Sequence, residues 1–559
     1  MRVLEKLEPR SVFCFFEDLC RIPHGSGNTK AISDYCVRFA QERGLRCVQD
    51  AVNNIIIWKG GTPGYENAPT VILQGHLDMV AEKTPDSPID FTKDPLDLQI
   101  DGDYVYAKGT TLGGDDGIAV AMALAVLDSK ELPHPPIEAV FTIDEEVGMD
   151  GAAFLDPAPL QGRRLLNIDS EDEGILTVSC AGGVRANMEL PVQAAPCALA
   201  CWRVTLAGLK GGHSGVEIQK ERGNSNILMG RFLRRLWKAA PELRLVSVAG
   251  GQKDNAIPLS TTALFAVPEG TDVAAEAAAF EAALKNEFSV SDPDARLCAE
   301  RCGNAESAMT EETTARVLDF LTLVPNGIYA MSMDIPGLVQ TSCNLGVLEA
   351  DEKGLRACSS IRSSVGSQKE MLYARMEALC ARLGGSVRPT GDYPGWQYRR
   401  ESALRETMVA AFRDLYGREP KVEAIHAGLE CGLFADKLPE IIPAAEFRKV
   451  NGQKQMKAYN GIIELTVGPL SNKSEIALVK QKASEQPQTR CAFMGSSGKT
   501  VKIWTTFTRP DNSLPKTREE AELFHAHAYR LAVKCYQPQI PFDILPKEPT
   551  LEQYSRLSH

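Results

Sequence analysis

Residues 117–127, GIAVAMALAVL, constrain the fold of this chain more than any other stretch. The segment is too long for a typical strand and rich in alanine, so it reads as a helix. That helix reads as buried. Short apolar runs surround it: 54–58 (NIIIW), 71–74 (VILQ), 139–143 (AVFTI) and 165–168 (LLNI). Continuous apolar strands alternating with helices belong to an α/β sheet buried on both faces.

The texture changes near residue 185. Segments 204–206, 243–248 and 262–267 read as strands of a smaller sheet, and 274–286 and 369–383 as helices with apolar residues three and four apart. From about residue 405 the α/β pattern returns, with a helix over 405–416 and a strand at 422–425. One α/β domain, 1–185 plus 397–440, is therefore expected to carry an α+β insertion, 186–396. Residues 452–460, GQKQMKAYN, are polar. The strand-like 461–467, GIIELTV, follows them and opens a third module, 455–559.

At 559 residues the chain suits two to four domains. An apolar fraction of 44%, with Gly 45 and Pro 33, excludes collagen-like and disordered classes. No run approaches the ~18 apolar residues of a membrane span, and the start lacks a signal-peptide core, so a soluble, cytoplasmic protein is expected. The 15 cysteines are scattered; Cys298 and Cys302 stand four apart without a second pair, which reads as free thiols in a reducing compartment. The net charge of −12 is uneven. Residues 441–559 hold 17 Lys+Arg against 11 Asp+Glu, a net +6, leaving −18 on residues 1–440. An acidic body and a mildly basic tail point to modules with different partners.

In open α/β sheets, ligands bind beyond the carboxyl ends of the strands. VILQ is followed by Gly75, His76, Leu77 and Asp78, AVFTI by Asp144, Glu145 and Glu146, and LLNI by Asp169. Asp115 and Asp116 stand just ahead of the alanine-rich helix. Any one of these carboxylates alone reads as a turn or helix cap. Together they place one imidazole and several carboxylates on one sheet edge, a clustering of like charge that a divalent metal neutralises. One histidine with carboxylate oxygens suits zinc, manganese or cobalt.

The motifs GHLDMV, GTTLGGDDGIAVAMAL, TIDEEVGMDGA and NIDSEDEG, in this order, resemble aminoacyl-histidine (Xaa-His) dipeptidases, co-catalytic zinc exopeptidases. The resemblance extends through GLKGGHSGVEI, NAIP, RSS, YPGW and HAGLECGLF, over about residues 1–440. It implies a zinc-exopeptidase-type mixed sheet sandwiched by helices, with residues 186–396 as an α+β lid that closes over a dipeptide. It further implies that His76, Asp115 and Asp169 hold one metal, and that Asp115 bridges to a second held by Glu146. Glu145 would be the general base, with Asp78 orienting His76. By the same resemblance, His213 stabilises the oxyanion, Asn255 and Arg362 recognise substrate (Arg362 through its terminal carboxylate), and Glu430 faces the free amine, with His426 structural. From the residues alone, His213 between glycines reads equally as a turn residue, and Asn255 and Arg362 as ordinary surface groups. Family members are often homodimers, and their substrates are short peptides.

Members of that family close the second metal site with a histidine downstream of HAGLECG. No histidine occurs here between His426 and His525, and the resemblance is expected to stop at about residue 440, short of a last strand and helix. The second site is then incomplete unless His525 or His527 substitutes. The tail, with PQTRCAFMGSSGKTVKIW and FHAHAYRLA, resembles a partial VirE-type N-terminal domain of mobile-element proteins. Its GSSGKT is too short for a phosphate loop and reads as a hairpin between CAFM and VKIW. Lys499, Lys502 and Arg509 are its candidates for nucleic-acid contact. The sequence thus points to metal-dependent hydrolysis of Xaa-His-like dipeptides. The alternative is an impaired peptidase remnant fused to a nucleic-acid-associated module.

Overall fold

The computed structural model describes residues 2–170, 172–438, 445–450, 453–494, 500–509, 511 and 513–545. The chain divides into two compact units, Met1–Arg400 with Glu419–Lys437, and Glu401–Arg418 with Leu438–His559.

The first unit contains a five-stranded sheet in the order Arg46–Gln49, Ile55–Lys59, Ile137–Thr142, Val71–His76, Arg164–Asn167. The first two pairings are antiparallel and the last two parallel. Register brings His76 level with Thr142 and Gln74 level with Asn167, so the residues that leave these three strands emerge side by side on one edge. Ile137–Thr142 is buried along its whole length, as an apolar strand covered on both faces must be. The alanine-rich segment forms the helix Gly114–Asp128, with Val120, Ala121, Ala123, Leu124 and Leu127 at 2% exposure or less. It packs with Phe16 and Leu19 of helix Arg10–Cys20, Phe39 of helix Lys30–Glu42, and Ile55, Ile57 and Phe141 of the sheet. A Cβ on Gly117 would stand 3.2 Å from the Phe16 ring, so the small residue there sets how closely the two helices approach.

The insertion is a nine-stranded sheet whose pairings are all antiparallel. Its long strand Val339–Asp351 pairs with Arg244–Gly250, Gly327–Met331 and Gly354–Ser363. Helices Ser225–Ala239, Val273–Glu287, Glu311–Leu323 and Gly366–Arg382 pack on it around Phe232, Phe265, Phe280, Phe320 and Met376. Outside both sheets, Lys421–Ile425 pairs in parallel with Ile175–Cys180. The mixed α/β fold with an α+β insertion agrees with what the sequence implies.

The second unit holds helix Ala403–Tyr416 and a three-stranded antiparallel sheet in the order Ile462–Val467, Val501–Thr506, Thr489–Met494. Helices Lys473–Ser484 and Arg518–Tyr536 bury Val479, Ala528, Ala532 and Tyr536 against Ile463, Leu465 and Ile503. The strands CAFM and VKIW lie in do pair antiparallel; the GSSGK between them falls outside the described residues. Within the polar segment 452–460, for which the sequence reading has no element, Gln453–Tyr459 is a strand paired with Ala445–Val450. Among the described residues, no helix is long and apolar enough to cross a membrane.

Candidate metal centre and substrate pocket

Three of the expected ligands converge. His76 Nε2, Asp115 and Glu146 offer donor atoms that all lie within 4.8 Å of one another. Ligands held about 2.0–2.2 Å from a divalent ion stand about 3–4 Å apart, so one nitrogen and two carboxylate donors fit such an ion with small side-chain adjustments. His76 Nε2 lies 3.0 Å from Asp115 Oδ1, and its Nδ1 is 2.9 Å from the Asp78 carbonyl oxygen and 3.4 Å from Asp78 Oδ1. Asp169 follows its strand on the same edge and acts electrostatically on His76, Glu145 and Glu146, but lies outside this closest group.

Asp78 does more than hold the imidazole. Its Oδ1 accepts the Glu145 amide at 3.0 Å, and its Oδ2 accepts the Glu146 amide at 3.4 Å and the Ser26 hydroxyl at 2.8 Å. One buried carboxylate thus ties the histidine loop to the glutamate loop. Gly27 adds a second tie, its amide donating to Asp144 Oδ1 at 2.7 Å. Ser26 and Gly27 lie in a segment, PHGSGN, that sequence reasoning passed over. Nothing local marks it, because its partners are 52 and 117 residues away.

The electrostatics are those of a site built for a cation. Burial pushes Glu145 up to about 8, with Asp169, Glu430 and Glu146 adding and His76 opposing. Burial likewise pushes Asp116 up to about 9, and burial with the Asp115 charge raises Glu146. For His76, burial disfavours the charge, but the bonded Asp115 and Asp78, with Asp116 and Asp169, raise it to about 12. Crowded carboxyls that retain protons are what a doubly positive ion relieves.

A second group of side chains gathers in the insertion. Arg362 is 9% exposed, its Nε has no hydrogen-bond partner, and among the described residues no carboxylate forms an ion pair with it. Its Nη1 donates to the Tyr393 hydroxyl at 3.2 Å. Its neighbours are imidazoles: a Cβ on Gly215 would touch His213 Cε1 at 3.0 Å, Arg362 Nε at 3.2 Å and the His426 carbonyl oxygen at 2.5 Å. Burial, then the Arg362 charge, lowers His213, and burial, Arg362 and His213 lower His426 to about 3. His213 Nδ1 accepts the Gly215 and Val216 amides at 3.2 and 3.1 Å, which leaves the proton of the neutral ring on Nε2. The hydrogen bonds of His213 are all local and do not join it to the carboxylate cluster. Asn255 is exposed, one residue before Ala256, which pairs with His213. His426 Nε2 bonds the Ser342 hydroxyl at 2.7 Å, a buried structural contact.

Glu430 sits elsewhere than at an open amine pocket. It is fully buried, with Oε2 accepting the Gln74 amide at 2.5 Å and the Thr142 hydroxyl at 2.8 Å, and Oε1 unpartnered. The tail candidates also have partners inside the second unit. His525 is buried with Nδ1 bonded to the Tyr459 hydroxyl at 3.1 Å, and burial lowers it to about 4. Lys502 pairs with buried Glu464 at 2.7 Å and Arg509 with Glu520 at 3.0 Å; Lys499 lies outside the described residues.

A mixed sheet with a histidine–carboxylate cluster on its carboxyl edge, joined to an antiparallel insertion, defines a metal-dependent hydrolase. The chain belongs to peptidase family M20/M25/M40, whose model matches residues 72–460. It is similar to the cytosol non-specific dipeptidase of Escherichia coli, 38% identical over 445 residues that cover 79% of this chain and 92% of that protein. The crystal structure of the aminoacylhistidine dipeptidase from Vibrio alginolyticus matches with a TM-score of 0.73 at 38% identity, over 78% of this chain and 89% of that one. Peptidase T of Escherichia coli is 39% identical over 84 residues, 14% of this chain and 20% of that protein. A second model, the BT4734-like N-terminal domain, matches residues 433–559. The peptidase match therefore runs past residue 440 to residue 460 and overlaps the tail match from residue 433.

Proposed function

We propose that this chain is a metal-dependent dipeptidase acting on short peptides with a free carboxyl terminus, Xaa-His dipeptides among them. The convergence of His76, Asp115 and Glu146 beside Glu145, with Asp78 tying His76 to both glutamates and His76 bonded to Asp115, carries this reading. His76, Asp115 and Asp169 would hold one ion, with Asp115 and Glu146 offering donors to a second; zinc suits these donors best, and manganese or cobalt is compatible. When bound, the cation supplies positive charge that polarises the scissile carbonyl and acidifies water. Glu145 takes the proton from the attacking water and delivers it to the leaving amine. Asp78 fixes the tautomer of His76 and the height of the Glu145 backbone. Nε2–H of His213 is a donor suited to the developing oxyanion, with Asn255 on the adjoining loop. Arg362, a buried cation with no carboxylate partner among the described residues, receives the terminal carboxylate.

A second reading, a peptidase with a weakened second metal site, is favoured by one observation: the sequence between His426 and His525 has no histidine. The tail supports the coarser BT4734-like relationship; its VirE-type character and any nucleic-acid role rest on resemblance alone. Hydrolysis of Ala-His and β-alanyl-His by the full chain, followed while zinc and manganese are titrated, tests both readings. Metal-dependent turnover that disappears in Glu145→Gln supports the dipeptidase. A folded chain inert at every metal concentration supports the weakened site.

A further inference from the structure

The YPGW segment has no place in the chemistry above, and its first residue is built into the substrate pocket. Arg362 on strand Gly354–Ser363 lies directly opposite Gly183 on strand Gly182–Leu190, and Gly183 lies opposite Tyr393 on strand Ser386–Tyr393. Residues opposite one another across antiparallel strands project from the same face. Arginine and tyrosine therefore stand on either side of a residue with no side chain. The gap is what lets them meet. A Cβ on Gly183 would lie 2.5 Å from the Tyr393 hydroxyl oxygen, and one on Gly428 would lie 2.8 Å from Tyr393 Cε2. The phenol thus crosses over Gly183, is backed by Gly428, and accepts from Arg362 Nη1 at 3.2 Å.

The backbone of this residue is held just as firmly. Lys369 Nζ donates to the Tyr393 carbonyl at 2.8 Å and pairs with Asp392. Three residues on, Trp396 and Cys180 exchange backbone hydrogen bonds of 3.0 Å each, and the Ser179 hydroxyl donates to the Trp396 carbonyl at 2.7 Å. Tyr393 is therefore an anchored strut. A guanidinium on a flexible stem, with no carboxylate to orient it, needs such a strut if its fork is to meet a ligand at a fixed angle.

We propose that Tyr393 is a positioning residue for the carboxylate end of the substrate: through Gly183 and Gly428 it reaches Arg362 Nη1 and sets the guanidinium so that the unpartnered Nε faces the incoming anion. This rests on the reading of Arg362 as the carboxylate receptor, and the test separates the two.

The probe is Ala-His with its peptide bond reduced to CH2–NH, which cannot be hydrolysed, prepared as the free acid and as the C-terminal amide. Calorimetry measures binding of both to the zinc-loaded full chain. The wild type is expected to prefer the acid, and Arg362→Ala to bind acid and amide equally. Tyr393→Phe is expected to lower the acid-over-amide preference about tenfold, the size of one hydrogen bond to a charged group, while leaving amide affinity unchanged. Gly183→Ala keeps the phenol but displaces it, and is expected to reproduce that loss. Full preference retained in both Tyr393→Phe and Gly183→Ala, or equal weakening of acid and amide, overturns the strut. Preference retained in Arg362→Ala, or absent from the wild type, overturns the receptor reading and the strut with it.

Discussion

Glu430 gives the structure its most quantitative test. The side chain is wholly buried between Gln74 and Thr142, with one oxygen unpartnered. Burial pushes its carboxyl from 4.5 up to about 7, against the pull of the Thr142 hydrogen bond, the His76 charge and the Gln74 hydrogen bond. The folded chain therefore keeps a proton through a range where the unfolded chain has released it. The stability tied to this group is fully present below about pH 4.5, declines as pH rises towards 7, and is constant above. At about 1.4 kcal/mol per pH unit of difference, the total is about 3 kcal/mol. Glu430→Gln removes the titration and keeps a carbonyl for Gln74 and Thr142. Its amide nitrogen carries a cost of its own, but that cost does not vary with pH. The quantity to measure is how the difference between variant and wild type changes with pH. In urea unfolding of the chelator-treated chain, followed by tryptophan fluorescence, the variant should gain about 2–3 kcal/mol on the wild type between pH 5 and pH 8. A difference that stays constant across that range refutes the argument.

Three further outcomes follow from the same geometry. Glu145→Gln should lower kcat on Ala-His by about 10²–10⁴ while zinc affinity, measured by competition with a chromophoric chelator, is retained; turnover above a tenth of wild type would contradict its role as base. His76→Ala removes the nitrogen donor of the cluster, so the rise in thermal midpoint that zinc confers should disappear. If the rise persisted, the ion would be held elsewhere. Phe232 is fully buried, with its ring centroid 5.7 Å from that of Phe280 and 6.4 Å from that of Phe265. Phe232→Ala should destabilise the insertion by about 3–5 kcal/mol in urea unfolding, and a loss below 1 kcal/mol would mean that this cluster is not its core.

Much of the candidate metal centre is legible in the sequence for a topological reason. His76 ends an apolar strand and Glu145, Glu146 and Asp169 follow theirs, and parallel strands in register must release their last and next residues along one edge. Asp115 joins them because it stands in the first turn of a helix that is apolar beyond that turn and packs on that sheet. Local pattern decides these positions. It could not decide what Glu430 does: a glutamate in HAGLECG reads as a polar contact for substrate, yet the fold encloses it against Gln74, 356 residues away in sequence.

The two halves of the pocket differ in the same way. Strand periodicity and apolar runs suffice for the sheet, its helices and the carboxylate edge, because each is set by residues within one turn or one strand of its neighbours. Ser26 on Asp78, and Tyr393 across Gly183 to Arg362, depend on which strand lies beside which and in what register. Register comes from packing whole layers against one another, and a contact between residues 31 or 52 positions apart has no period along the chain. Sequence alone determined the chemistry on the sheet edge; tertiary structure decided which groups hold that chemistry in place, because only the folded sheet brings them within hydrogen-bond reach.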